Sequence, residues 1–156
     1  MQKTLVLIAA LAVPAAAHST FAPKDSPCFA SGAATYRIAP SAPSPDFRIK
    51  VDRDAPHPDL RMQMVDRAEI ADFALVDDFG SSDPGACRSS TAIRTVTLDA
   101  ITPSPDVTVQ LSTDPAGADY KLYVHSVRFS QQDAAALLAA MWKSNQWREV
   151  AARTDR

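Results

Sequence analysis

The stretch from Tyr120 to Trp142 constrains this chain more than any other. Tyr120-Lys-Leu-Tyr-Val-His-Ser-Val-Arg-Phe129 is rich in β-branched and aromatic residues, the types that suit a pleated, half-buried surface, and it predicts the longest strand. Ser130-Gln-Gln-Asp133 follows directly. A serine hydroxyl accepting the N–H three residues on, with a carboxylate at the positive end of the helix dipole, starts a helix there. In that helix Leu137, Leu138, Met141 and Trp142 form an apolar stripe, and Ala136, Ala139 and Ala140 keep its flanks narrow. A stripe of this kind has to be buried, so the rest of the chain must supply a sheet for it.

The upstream sequence offers short strands. Phe47-Arg-Ile-Lys-Val51 alternates apolar and charged residues, and Leu60-Arg-Met-Gln-Met64 repeats the alternation, the period of a strand buried on one face. Thr35 to Ile38, Ala71 to Val76, Ile93 to Leu98 and Val107 to Leu111 read the same way. A helical turn fits within Val65 to Ile70. Between the strands lie Pro- and Asp-rich segments such as Ala39-Pro-Ser-Ala-Pro-Ser-Pro45, which remove ladder donors and belong to surface connections. No internal repeat stands out. Short strands at this spacing predict a mainly β domain: an antiparallel sandwich or partly closed barrel of six to seven strands with one C-terminal helix. The alternative is an α+β single antiparallel sheet with the helix packed on one face.

The N-terminal sequence predicts that this domain is exported. Lys3, an apolar run from Leu5 to Val13, Pro14 and Ala15-Ala-Ala17 have the layout of a secretory signal peptide, residues 1–17. Removing them leaves 139 of the 156 residues, enough for one core. Residues 18–143 are expected to form a single domain and 144–156 a polar helical extension or frayed tail. No apolar run reaches the roughly 20 residues of a membrane span. For an exported chain with two cysteines, oxidation predicts a Cys28–Cys87 disulfide, worth about 4 kcal/mol for a loop of roughly 60 residues.

Composition narrows the function. The net charge of −2 carries no electrostatic case for nucleic acid. Sixteen of the eighteen acidic residues are Asp, the acid that bonds nearby backbone N–H groups, so the acidity reads as structural. No G-x-S-x-G, H-E-x-x-H, G-x-G-x-x-G or P-loop is present. The expectation is a periplasmic or secreted, non-catalytic protein that binds a protein, a peptide or an anionic glycan. Arg48, Lys50, Arg94 and Lys121, with Tyr123, are the ligand-face candidates.

Two other readings stand beside it. Cleavage after Ala17 exposes His18, whose α-amine and imidazole chelate copper together. His57 or His125 would complete that site, and Met62 and Met64 offer thioethers suited to Cu(I). Calcium is a lesser candidate, at Asp77, Asp78, Ser81 and Asp83 in one loop. A small exported hydrolase would assemble a histidine, a carboxylate and a nucleophile from dispersed positions.

Overall fold

A computed structural model describes residues 28–31, 34–40, 42–76, 92–98 and 104–154, with side chains as far as residue 145. Eight strands are present among them: β1 (Cys28–Ser31), β2 (Ala34–Ile38), β3 (Phe47–Asp52), β4 (Leu60–Met64), β5 (Phe73–Val76), β6 (Ile93–Leu98), β7 (Val107–Ser112) and β8 (Tyr120–His125). A 3-10 turn (Ala68–Ile70) precedes β5, and one helix, α1 (Gln131–Thr154), closes the chain. All eight strands belong to one sheet, in the order β1-β2-β6-β3-β7-β4-β8-β5.

That order interleaves two halves of the chain. Strands β2 to β5 occupy alternate positions, and β6, β7 and β8 fill the gaps between them. Every pairing from β2 to β5 is parallel; only β1, folded back on β2, is antiparallel. The antiparallel sandwich of six or seven strands is therefore corrected to a single, mostly parallel sheet of eight with a helix. Parallel neighbours usually need crossovers of a dozen residues or more, whereas seven residues join β3 to β4 and seven join β7 to β8. Geometry permits this because the strands are short. Returning along a strand of roughly 17 Å while moving sideways by two ladder spacings, about 10 Å, is a path of about 20 Å, and seven extended residues reach roughly 23–25 Å.

A thirteen-residue repeat underlies the interleaving, contrary to the expectation of none. Asp46, Asp59 and Asp72 are thirteen residues apart, as are Asp106 and Asp119, and each follows Pro or Ala and precedes a strand. Each carboxylate clamps the neighbouring strand. Oδ2 of Asp46, Asp59 and Asp72 accepts the backbone N–H of Thr95, Thr108 and Lys121, and Oδ2 of Asp106 and Asp119 accepts that of Arg48 and Arg61, all five at 2.7 Å. In four of the five the clamp is reciprocal, because the Asp N–H donates to the carbonyl of the same residue at 2.8–2.9 Å. Asp46 instead donates its N–H to Thr95 Oγ1 at 3.1 Å. Charge-assisted bonds of this kind contribute more than neutral ones, and here they set the register of five of the six parallel pairs; in the sixth, β2 with β6, the Thr35 N–H donates to the Ala92 carbonyl at 3.3 Å.

Register drifts steadily across the sheet. Phe47 pairs with Val96 and Ile49 with Val107; Leu60 pairs with Val109 and Met62 with Tyr120. Each ladder starts two residues beyond the last, the shear that curls a sheet toward a barrel. The two ends of the strand order consequently meet, with the rings of Phe29 in β1 and Phe73 in β5 5.6 Å apart.

Inside the curl lies α1. Ser130 and Asp133 form the expected capping box: Asp133 N–H donates to Ser130 Oγ at 3.1 Å, and Ser130 N–H donates to Asp133 Oδ2 at 2.8 Å. The buried surface differs from the expected stripe. Ala134, Ala135, Ala136, Leu137, Ala139 and Ala140 are wholly buried, while Leu138, Met141 and Trp142 are partly buried. Four consecutive buried residues span more than one turn, so the first turns of the helix are buried all round, packed within the curl against β2, β3, β6, β7 and β8. Alanine is what lets strands approach so closely. The core is completed from the sheet by Ile49, Met62, Val96, Val107, Val109 and Leu122. Strand β8 stops at His125 rather than Phe129, because Ser126 Oγ accepts the N–H groups of Arg128 and Phe129 and turns the chain.

Candidate functional site

Alternation within each strand separates the enclosed face from the outer one. Arg48, Lys50, Arg61, Lys121 and Tyr123 lie on the outer face, where Arg48, Arg61 and Lys121 are exposed. Lys50 Nζ is 3.6 Å from Asp52 Oδ2. Tyr123 and His125 stack on the same face, ring centroids 6.5 Å apart and planes within 8°. Asp52 is held below the usual carboxylate range, chiefly by accepting the Asp54 N–H and also by the neighbouring Lys50 ammonium.

Arg94 does not share that face. It pairs with Tyr36, and two residues on Val96 pairs with Ile38 and Phe47, so Arg94 belongs to the enclosed side, facing the helix. Its guanidinium lies over the Phe47 ring, 6.0 Å from the centroid, within range of a cation–π contact. There it lines a cleft of about 200 Å³ together with Asp46, Phe47, Asp106, Lys143 and Ser144. This cleft sits where β3, β6 and β7 begin, with α1 as its opposite wall.

The lining residues have different duties. Asp46 Oδ2 is engaged by Thr95, accepting its N–H and its hydroxyl at 2.7 and 2.9 Å. Asp106 Oδ2 holds Arg48. Ser144 is also committed: its hydroxyl donates to the Ala140 carbonyl at 2.8 Å and accepts from Tyr36 Oη at 3.1 Å. Arg94 and Lys143 are in no ion pair with a described residue. Two cations from different elements, beside an aromatic ring in a concavity, are suited to holding an anionic group.

The copper ligands are dispersed or outside the description. Met62 is 1% exposed, within the core, and Met64 packs against it. His57 is exposed in the loop before β4, and His125 ends β8. His18, Cys87 and the loop residues Asp77, Asp78, Ser81 and Asp83 lie outside the described residues, whereas Cys28 opens β1. Among the described residues no group of three or more His, Cys, Asp or Glu is placed to hold a metal, and no helix is long and apolar enough to cross a membrane.

Sequence reasoning missed Lys143 and the role of Arg94. The signal for Arg94 is the repeat, since Val96, Val109 and Leu122 are equivalent inward positions and parity then turns Arg94 inward. No family model, curated protein or solved structure matches the chain.

Proposed function

We propose that this chain is an exported, non-catalytic binding protein whose ligand presents an anionic group, carboxylate or sulfate, to the cleft between the N-terminal ends of β3, β6 and β7 and helix α1. One observation carries this reading: Arg94 and Lys143 converge on a concavity without a carboxylate partner among the described residues. The nearby Asp46 and Asp106 each have one oxygen tied to a strand amide, which dissipates part of their charge toward the backbone. Phe47 gives the pocket an apolar wall against which the carbon frame of a glycan or peptide rests. Export is supported by Lys3, the apolar run and Ala15 to Ala17, and a Cys28–Cys87 bridge belongs to the same proposal.

Amide chemical shifts followed during titration with sodium sulfate and, separately, with glucuronate test the site. Saturable shifts at Phe47, Arg94, Thr95 and Lys143, lost in a folded Arg94→Ala/Lys143→Ala variant, are expected. Shifts that are linear in salt, or unchanged in that variant, contradict the reading. For export, the intact mass of the secreted protein should begin at His18 and lack two thiol hydrogens.

A further inference from the structure

The cleft beside Arg94 and Lys143 carries as much negative formal charge as positive, because Asp46 and Asp106 line it together with the two cations. Each carboxylate commits Oδ2 to the neighbouring strand, Asp46 to Thr95 and Asp106 to Arg48. Their Oδ1 atoms accept no hydrogen bond from a described residue, and neither carboxylate forms an ion pair with Arg94 or Lys143. Opposite charges therefore face one concavity without neutralising each other. The Ser144 hydroxyl is already committed to Ala140 and Tyr36, which leaves the four charged groups as the polar surface open to a ligand. Phe47 supplies the apolar wall, and its ring holds the Arg94 guanidinium at 6.0 Å from the centroid.

We infer that the ligand of this cleft is a small zwitterion of the amino-acid class with an apolar side chain, which rests on the reading of the cleft as an anion site and names what accompanies the anion. Its carboxylate meets Arg94 and Lys143, and its ammonium meets Oδ1 of Asp46 and of Asp106. A ligand that is only anionic would lie against two carboxylates, and like charges brought together oppose binding. An ammonium on the same ligand turns those two groups into acceptors of charge-assisted bonds. Size points the same way. The cleft holds about 200 Å³, below the roughly 300–1,000 Å³ of pockets that take drug-sized molecules, so it suits one residue better than a chain of sugars. The clamps also prepare the site. A strand amide holds Oδ2 of each aspartate at 2.7 Å, so Oδ1 is oriented before a ligand arrives and little side-chain freedom is lost on binding.

The test compares three probes that share one carbon frame, by amide chemical shifts of the full chain: leucine, isocaproate, which lacks the ammonium, and isoamylamine, which lacks the carboxylate. Leucine should give saturable shifts at Phe47, Arg94 and Lys143, with isocaproate and isoamylamine each at least about tenfold weaker, the loss of one charge-assisted bond. In a folded Asp46→Asn/Asp106→Asn variant, which keeps neutral acceptors for the Thr95 and Arg48 amides, the ratio of leucine to isocaproate affinity should fall toward one. Equal affinity for leucine and isocaproate, saturation by sulfate but not by leucine, or a ratio unchanged in the variant overturns the zwitterion and leaves the anion site standing. Equal affinity for leucine and isoamylamine, or no saturable shift with any probe or with sulfate, overturns both. The comparison of the three probes on the unsubstituted chain does not depend on how the variant folds.

Discussion

Replacing Asp59 by Ala removes one clamp and leaves the strand sequence untouched. The lost bond is Thr108 N–H to Asp59 Oδ2 at 2.7 Å, and the reverse bond from Asp59 N–H to the Thr108 carbonyl at 2.8 Å remains available. A hydrogen bond to a charged group contributes about 1.5–3 kcal/mol, and water reaching an exposed amide recovers part of it, so the expected loss is about 1–2 kcal/mol. Urea unfolding reads this directly. With a slope of about 1.5 kcal/mol per molar, the midpoint falls by roughly 1 M at unchanged slope. Asp59→Asn keeps a neutral acceptor and should lose about half as much. The control is Asp66→Ala, whose carboxylate is exposed and 3.9 Å from Arg67 Nε; an exposed pair of that kind shifts stability by no more than about 0.5 kcal/mol. If Asp59→Ala and Asp66→Ala are indistinguishable, the clamps do not set the register and the reasoning fails.

Three further outcomes follow from the same structure. Ala135→Leu, at a position with no exposure, should destabilise by about 1–3 kcal/mol or more, since a closely wrapped helix has no space for added methylenes; a neutral or stabilising effect in thermal unfolding would mean that the sheet does not enclose α1. Gly117 has φ +70° in the turn before β8, so Gly117→Ala should cost about 1 kcal/mol through left-handed strain, again read by thermal unfolding. The folded-state pKa of Asp52 lies below its ordinary 3.8, so its ionised form favours the folded state; that contribution is present above the unfolded value and is lost as pH falls through the folded one. The stability difference between wild type and Asp52→Asn should therefore shrink on acidification below about pH 4, and a difference that grows would reverse the assigned sign.

Strand positions were largely legible, and strand direction was not. Leu60–Met64 and Ile93–Leu98 match their expected limits, because alternation reports which residues face a core. Alternation is silent on direction. Parallel sheets are usually buried on both faces and read as continuous apolar runs; here one face is polar, as Arg48, Lys50, Arg61 and Lys121 show, so the pattern imitates an antiparallel meander. Connections of seven residues reinforce that impression, since in most sheets they make hairpins. The repeat escaped notice because little recurs beyond an aspartate and a parity. The strands after Asp46, Asp59 and Asp106 begin Phe-Arg, Leu-Arg and Val-Thr, alike in burial and unlike in sequence.

The cleft was harder still to read. Ile93-Arg-Thr-Val-Thr-Leu98 has apolar residues at 93, 96 and 98, so its parity is ambiguous, and an arginine beside threonines reads as solvent-facing. Only the partners of β6 turn Arg94 toward Phe47 and α1. Lys143 joins it from forty-nine residues away in sequence, a proximity that no local pattern records. The helix face was misjudged for a related reason: a stripe of large residues signals burial against one surface, whereas enclosure by a curled sheet selects for alanine.

Register clamps and cleft both depend on the alternation of the two halves of the chain in one sheet. Backbone nuclear Overhauser effects on the uniformly labelled protein report it directly. Contacts characteristic of parallel pairing are expected between Ile49 and Val107 and between Val109 and Leu60, with β7 between β3 and β4 and none joining β3 to β4. A ladder directly between β3 and β4, with the close α-proton contacts of an antiparallel hairpin, would contradict the account.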